Sequence, residues 1–185
     1  MMGWRRRSMA GRAKAVRLLI LDVDGVLTDG RIVMGPRGEE SKAFHVADGL
    51  GLVLAREAGL DVVWISSRKS SAVARRAKEL GIRRVFQGVS RKLAAYAAIL
   101  RSQGLDDRDV AVMGDDLADL PLLRRAGLAL TVPEAPAEVL AAAHWVSSRR
   151  GGHGAVREAV EMLLRARGVW STLVLRCFGD VAQRS

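Results

Sequence analysis

The run LLILDVDGVLTDG at residues 18–30 constrains the fold of this chain more than any other segment. Its consecutive apolar residues give way to acids and glycines, which favours a strand buried on both faces that ends at Asp22. Asp22 and Asp24 are two residues apart, so an extended chain places both side chains on one face. Gly25 lets the backbone turn and approach a ligand closely. The run therefore predicts a strand that carries two carboxylates to one edge of a sheet.

Apolar strand-like runs and amphipathic helix-like segments alternate along the rest of the chain. The predicted strands cover 16–22, 61–67, 83–88, 109–116, 128–132 and 144–148, and the predicted helices cover 48–60, 70–81, 91–104, 117–127, 135–143 and 154–168. This alternation is typical of an α/β, Rossmann-like parallel sheet with helices on both faces. A short β-hairpin insert is predicted at 31–46, with its turn at 35–38. We expect one domain over 16–168, with a loose basic arm at 1–15 and a tail without clear periodicity at 169–185.

Charge and composition limit the classes of function. The formal net charge is +10, which makes nucleic-acid binding the obvious rival to an enzyme. The arginines are scattered over predicted helix faces and loops, so we expect a solvated basic surface and no nucleic-acid footprint. The sequence contains no run of 18 apolar residues, so no membrane span is predicted. A single cysteine, Cys177, excludes an intrachain disulfide framework and fits a cytoplasmic protein.

Polar residues recur where other predicted strands end. Ser66 follows one strand, and Asp115 and Asp116 follow another. The carboxyl ends of parallel strands share one edge of the sheet, where ligands bind. Asp22 and Asp24 would repel each other unless a cation lay between them. An all-oxygen set completed by Asp115 or Asp116 suits Mg²⁺.

Such an edge suits phosphoryl transfer. One aspartate can attack phosphorus and form an aspartyl-phosphate while a second acid handles the proton. The oxygens of the transferred group need donors, which Ser66 and Lys92 can supply. The residues by themselves therefore predict metal-assisted phosphoryl transfer.

Six segments carry a resemblance to known proteins. DVDGVLTDG, ISSR, QGVSRK and GDDLADLP, in this order, resemble the motifs of the haloacid dehalogenase superfamily of phosphohydrolases. GEESKAFHVADGLG and GGHGAVRE are similar to the 3-deoxy-D-manno-octulosonate 8-phosphate phosphatase family, and the likeness spans about residues 16–167. The branch that acts on sialic-acid-type 9-phosphates shares much of the pattern, so it and other small phosphomonoesters remain alternatives.

The resemblance implies an activity and an assembly. It implies Mg²⁺-dependent hydrolysis of the sugar-acid phosphate through an aspartyl-phosphate, a step of lipopolysaccharide biosynthesis. It also implies a hairpin in place of a large cap domain. The family forms homotetramers in which hairpins associate and a neighbour's residues help to close each site.

The resemblance also implies a role for each site residue. Asp22 would be the nucleophile, and Asp24 would be the general acid and base that gives its backbone carbonyl to the metal. The implied catalytic residues are Asp22, Asp24, Ser66 and Lys92; the metal ligands are Asp22, Asp24 and Asp115, supported by Asp116 and Asp119; the substrate contacts are Asp24, His45, Asp48, Gly49, Arg68, Arg76 and Lys92.

The chain departs from the family pattern at a few positions. Ser66-Ser67 stands where the family usually has Thr-Gly, although Ser66 keeps the hydroxyl group. Arg91 stands where an acid or Asn commonly precedes the motif lysine. Val53 stands where some members carry a substrate-facing Arg, which leaves the sugar open.

Some of these residues also have ordinary structural explanations. Asp119 suits the first turn of a helix, and His45 suits a hairpin. Arg76 suits a solvated helix face, and Arg157 can pair with Glu161 four residues on.

Overall fold

The computed structural model describes residues 8–179, in which six parallel strands form one sheet and two further strands form a hairpin. The strands are β1 (Leu18–Leu21), β2 (Val33–Met34), β3 (Glu40–Ser41), β4 (Asp61–Ile65), β5 (Arg84–Phe86), β6 (Val110–Met113), β7 (Leu128–Thr131) and β8 (Trp145–Val146). The main sheet has the order β5-β4-β1-β6-β7-β8. Every residue of β1, β6 and β7 is buried, as in a sheet covered on both faces. The predicted fold class is confirmed.

Helices precede, connect and follow the strands of the main sheet. They are α1 (Met9–Ala15), α2 (Val46–Glu57), α3 (Ser71–Glu79), α4 (Lys92–Gln103), α5 (Leu120–Leu123), α6 (Ala137–Ala142), α7 (Ala155–Ala166) and α8 (Trp170–Phe178). Short 3₁₀ helices precede β6 and α5. Among the described residues, no helix is long and apolar enough to cross a membrane.

The two ends of the described chain are more ordered than the sequence predicts. The prediction of a loose arm is wrong for residues 9–15, because they form α1. In this helix Ala13 is buried, and the helix packs against α7. In the predicted tail, α8 buries Trp170 and Leu173 and also packs against α7. Residues 1–7 of the arm and 180–185 of the tail lie outside the described residues.

The hairpin between β1 and α2 forms as predicted. β2 and β3 are antiparallel, with Val33 opposite Ser41 and Met34 opposite Glu40. Gly38 has φ +80°, which the turn requires and most other residues avoid. Val33 and Met34 are 57% and 60% exposed, so the hairpin presents an apolar outer surface.

Candidate active site

The central strands bring the acidic loops to one edge of the sheet. β1 pairs in register with β6, so that Leu21 lies opposite Met113 and the chain continues into Asp22 on one side and Asp115 on the other. The backbone N–H of Asp22 donates to the Met113 carbonyl at 2.9 Å, which fixes the start of its loop. From β1 the chain crosses first toward β4 and later toward β6, so the acids lie at the point where the strand order reverses.

Gly25 gives Asp115 the space that it occupies. The φ of Gly25 is +94°. A Cβ atom at this position would lie 1.9 Å from Asp115 Oδ2. The glycine of the DVDG motif is therefore required both by its backbone conformation and by the neighbouring carboxylate.

Three carboxylates cluster at this edge, and two of them pair with one ammonium group. Oxygens of Asp22, Asp115 and Asp119 lie within 4.8 Å of one another. Lys92 Nζ lies 2.8 Å from Asp22 Oδ1 and 2.8 Å from Asp119 Oδ1. Asp115 Oδ1 is buried and has no hydrogen-bond partner. One lysine cannot neutralise three carboxylates, so the cluster keeps an excess of negative charge.

Burial and this excess charge shift Asp22 and Asp115 toward their protonated forms. Burial and the nearby Asp119 raise the pKa of Asp22 to about 6, although Lys92 opposes the shift. Burial and the carboxylates of Asp22 and Asp119 raise the pKa of Asp115 to about 8. Burial works against the charged form of Lys92, but the two carboxylates beside it raise its pKa overall. An orphaned oxygen among carboxylates that resist ionisation is a donor set that fits Mg²⁺.

Asp119 organises the cluster. Its Oδ1 accepts from Lys92, and its Oδ2 accepts from the backbone N–H groups of Asp115 at 3.2 Å and Asp116 at 3.4 Å. Asp119 was predicted either to support the site or to be an ordinary acid in the first turn of a helix. In the structure it contacts Lys92, the lysine of the motif. Asp116 lies outside the cluster, where it is exposed and accepts from the Leu117 N–H at 2.7 Å as a helix cap.

Asp24 lies between two other elements. Its Oδ2 accepts from Ser66 Oγ at 3.3 Å, after the end of β4. Its Oδ1 accepts from Lys42 Nζ, in the hairpin. Lys42 was not predicted as a site residue, because a hairpin lysine is usually a solvated charge. Its place in SKAFHVADGLG, a segment that carries the family resemblance, was the available signal.

Asp48, a predicted substrate contact, has hydrogen-bond partners within the chain. Its side chain is buried in α2, where Oδ1 accepts from the Arg157 N–H at 2.7 Å and Oδ2 accepts from the Gly154 N–H at 3.2 Å. These are free N–H groups at the start of α7. Asp48 therefore ties α2 to α7, and Arg157 pairs with Glu161 at 2.7 Å.

The other predicted substrate contacts have partners within the chain. His45 is the exposed cap of α2, where its Nδ1 accepts from the Ala47 N–H at 3.2 Å. Gly49 leaves room for Arg76, since a Cβ there would lie 2.4 Å from the guanidinium group. Arg68 pairs with Glu40 at 3.0 Å while its side chain stays 46% exposed.

A cleft of about 340 Å³ opens beside the cluster. Its lining includes Gly25 and Asp115 together with the basic side chains of Arg31 and Arg150. Each of these arginines already pairs with an acid of the same lining, Arg31 with Asp29 at 3.4 Å and Arg150 with Glu134. A cation held by the carboxylate cluster, with Lys92 beside it, would be the group that attracts a phosphate ester to this edge.

Comparison with known proteins gives a consistent family. A model described as haloacid dehalogenase-like hydrolase matches residues 78–158. The chain is 44% identical over 157 residues to the 3-deoxy-D-manno-octulosonate 8-phosphate phosphatase KdsC of Escherichia coli K12, covering 85% of this chain and 84% of that protein. The enzyme of the same name from Yersinia pestis is 44% identical over 156 residues, covering 84% and 83%.

Solved structures share the fold closely. The phosphatase of the same name from Moraxella catarrhalis, crystallised with a magnesium ion, a phosphate ion and a KDO molecule, has a TM-score of 0.89 and 38% identity, covering 91% of this chain and 97% of that one. The cobalt-bound deoxy-D-mannose-octulosonate 8-phosphate phosphatase of Haemophilus influenzae has a TM-score of 0.84 and 38% identity, covering 93% and 97%. Both structures contain a divalent metal.

Proposed function

Because the chain belongs to the 3-deoxy-D-manno-octulosonate 8-phosphate phosphatase family of haloacid dehalogenase-like hydrolases, we propose that it hydrolyses this phosphate ester to the free sugar acid and phosphate. One observation carries the proposal: Asp22, Asp115 and Asp119 cluster together, and Lys92 pairs with Asp22 and Asp119. Asp24 follows Asp22 by two residues and contacts Ser66. The reaction needs a nucleophilic carboxylate and a second acid within reach of one phosphoryl group.

The oxygen ligands available at this cluster suit Mg²⁺. Asp22 and Asp115 would hold Mg²⁺ through their carboxylates, and Asp24 would add its backbone carbonyl. When bound, the ion neutralises charge on the carboxylates and on the phosphoryl oxygens. Asp119 and Lys92 would keep the ligands in place. The unpartnered Asp115 Oδ1 supports this assignment.

The side chains divide the chemistry between two steps. In the first, an oxygen of Asp22 bonds to phosphorus, the bond from phosphorus to the sugar oxygen breaks, and Asp24 gives that oxygen a proton. In the second, a water oxygen bonds to phosphorus while Asp24 takes a proton from that water, and the bond from phosphorus to Asp22 breaks to release phosphate. Lys92 and Ser66 would bind the phosphoryl oxygens in both steps.

Arg68 is the best supported of the proposed substrate contacts. Its backbone N–H donates to Ser66 Oγ at 3.1 Å, which places it beside the phosphoryl site. Its partly exposed guanidinium group suits the carboxylate of a sugar acid. His45 is exposed near the same hairpin. Gly49 and Arg76 contact each other, so they would act on substrate only by shaping the wall around it.

A substrate panel tests the function. We expect phosphate release from 3-deoxy-D-manno-octulosonate 8-phosphate with Mg²⁺ and none with EDTA. Asp22→Asn should abolish turnover and leave the fold unchanged by circular dichroism, because the amide cannot attack phosphorus. A higher kcat/KM for a sialic-acid-type 9-phosphate or another phosphomonoester would reassign the substrate. An absence of metal-dependent turnover on the whole panel would instead favour a basic nucleic-acid-binding protein on this scaffold.

We also propose that the protein is a cytoplasmic homotetramer assembled through its hairpins. The family resemblance supports this assembly, and so do the adjacent hairpin residues Ile32, Val33 and Met34, which are 46%, 57% and 60% exposed. Contiguous exposed apolar residues mark interaction surfaces. Cys177, the single cysteine of the sequence, is free and exposed, which suits a reducing compartment.

A further inference from the structure

Lys42 carries a buried charge that the two proposed reaction steps do not use. Its side chain is 0% exposed, whereas lysine is rarely buried without a charged partner. Its Nζ contacts Asp24 Oδ1 and lies 3.1 Å from Glu40 Oε1. Two carboxylates therefore compensate the burial of one ammonium group.

The contact with Asp24 fixes a carboxyl group that would otherwise be loosely held. Lys42 binds one oxygen of Asp24 from the hairpin, and Ser66 binds the other at 3.3 Å from the loop after β4. Two donors on two oxygens determine the plane of a carboxyl group. Without Lys42, only the longer bond from Ser66 would remain.

Glu40 anchors Lys42 from the opposite side. Glu40 Oε2 lies 3.0 Å from Arg68, and the hydrogen bond from Arg68 lowers the pKa of Glu40 to about 2, with Lys42 adding to the effect. Glu40 is therefore ionised throughout the neutral range. The charges alternate from Arg68 through Glu40 and Lys42 to Asp24, which ties the hairpin to the loop after β4.

We propose that Lys42 is a positioning residue that orients the Asp24 carboxyl group toward the leaving-group oxygen. The inference rests on the proposed function, since it takes Asp24 as the general acid. Lys42 acts through Asp24 and does not itself contact the substrate. Its loss should therefore impair proton delivery, and the impairment should grow as the leaving group becomes a poorer anion.

The test compares Lys42→Met with wild type on a series of aryl phosphates from phenyl to p-nitrophenyl phosphate. kcat/KM reports the steps up to departure of the leaving group, and these substrates share a shape but differ in their need for a proton. General acids contribute about 10²–10⁴-fold and misplacement costs about 10²-fold, so we expect a loss of about 10–100-fold on phenyl phosphate and under about 3-fold on p-nitrophenyl phosphate.

Arg37→Met is the matched control, because it makes the same kind of substitution in the exposed turn of the same hairpin. It should leave the series unchanged, and Lys42→Arg should restore part of the loss since a guanidinium group can also bind Asp24. Equal loss across the series in Lys42→Met, or no loss, would overturn the positioning role. Turnover of aryl phosphates without turnover of the sugar-acid phosphate would reject the substrate alone, whereas a wild type inactive on every ester would reject both.

Discussion

At the scale of single residues, the buried Asp115 carboxylate suits a metal ion but should destabilise the metal-free fold when it ionises. The folded chain holds its proton up to a pKa of about 8, while the unfolded chain releases it near 3.8. The folded state therefore binds more protons between these values, so the contribution of Asp115 to the free energy of unfolding falls as pH rises from 4 to 8. In EDTA, Asp115→Asn should raise Tm relative to wild type, by an amount that grows across this interval. Thermal unfolding by circular dichroism measures the difference.

The same variant should lose its response to metal. Mg²⁺ should raise the Tm of wild type, because a ligand that binds only the folded state stabilises it, and Asp115→Asn should show little of this rise. Asp116→Asn is the control, since Asp116 is exposed and Asn caps a helix as well as Asp does. If the difference in Tm between Asp115→Asn and wild type in EDTA did not change with pH, the predicted titration of Asp115 would be contradicted.

The predictable site residues are those whose position follows from the backbone alone. Asp22 and Asp115 could be predicted to meet, because each follows a buried strand and parallel strands end at one edge. The contact of Lys42 with Asp24 depends on how the hairpin folds back, which no local pattern encodes. The partners of Asp48 could not be predicted, because they lie more than 100 residues away, at the start of α7.

At the scale of elements, the hydrogen bonds of Asp48 link α2 to α7 and should stabilise the fold. Asp48→Asn replaces one of the two acceptor oxygens with an NH₂ group, which cannot accept from a backbone N–H. One N–H at the start of α7 then loses its partner, which should lower the free energy of unfolding by about 1–3 kcal/mol. Urea denaturation measures the loss. At a temperature where the variant is folded, KM for substrate should equal that of wild type.

Glu161→Gln is the matched control on α7. It removes the charge from the i,i+4 pairs that Glu161 makes with Arg157 and Arg165, and should cost under about 1 kcal/mol. If Asp48→Asn instead raised KM while stability stayed unchanged, the carboxylate would be a substrate contact, as the family resemblance implies.

Elements could be predicted where their burial is uniform. β1, β6 and β7 are apolar at nearly every position and buried throughout, so their sequence signal is continuous. α1 buries only Ala13 among its seven residues, which leaves almost no periodicity. In α8, Leu175 and Phe178 are 70% and 58% exposed, and they mask the apolar face that packs on α7.

At the scale of the whole molecule, the exposed hairpin predicts how copies of the chain assemble. Met34 is 60% exposed in the single chain, so Met34→Glu should change the stability of that chain by no more than about 0.5 kcal/mol. In a hairpin interface the same carboxylate would be buried without a partner, which is costly. We expect Met34→Glu to lower the mass in solution from that of a tetramer, measured by light scattering after size exclusion.

The assembly and the activity should then fall together. If a neighbouring copy closes each site, Met34→Glu should lower kcat/KM for the sugar-acid phosphate in proportion to the tetramer lost, and higher protein concentration should recover both. Leu175→Glu is the control, because it places the same charge at another exposed apolar position, on α8. A wild type that is monomeric would reject the assembly. A tetramer that dissociates in Met34→Glu without any loss of kcat/KM would show that each chain carries a complete site, since the substrate would then need no residue from a neighbour.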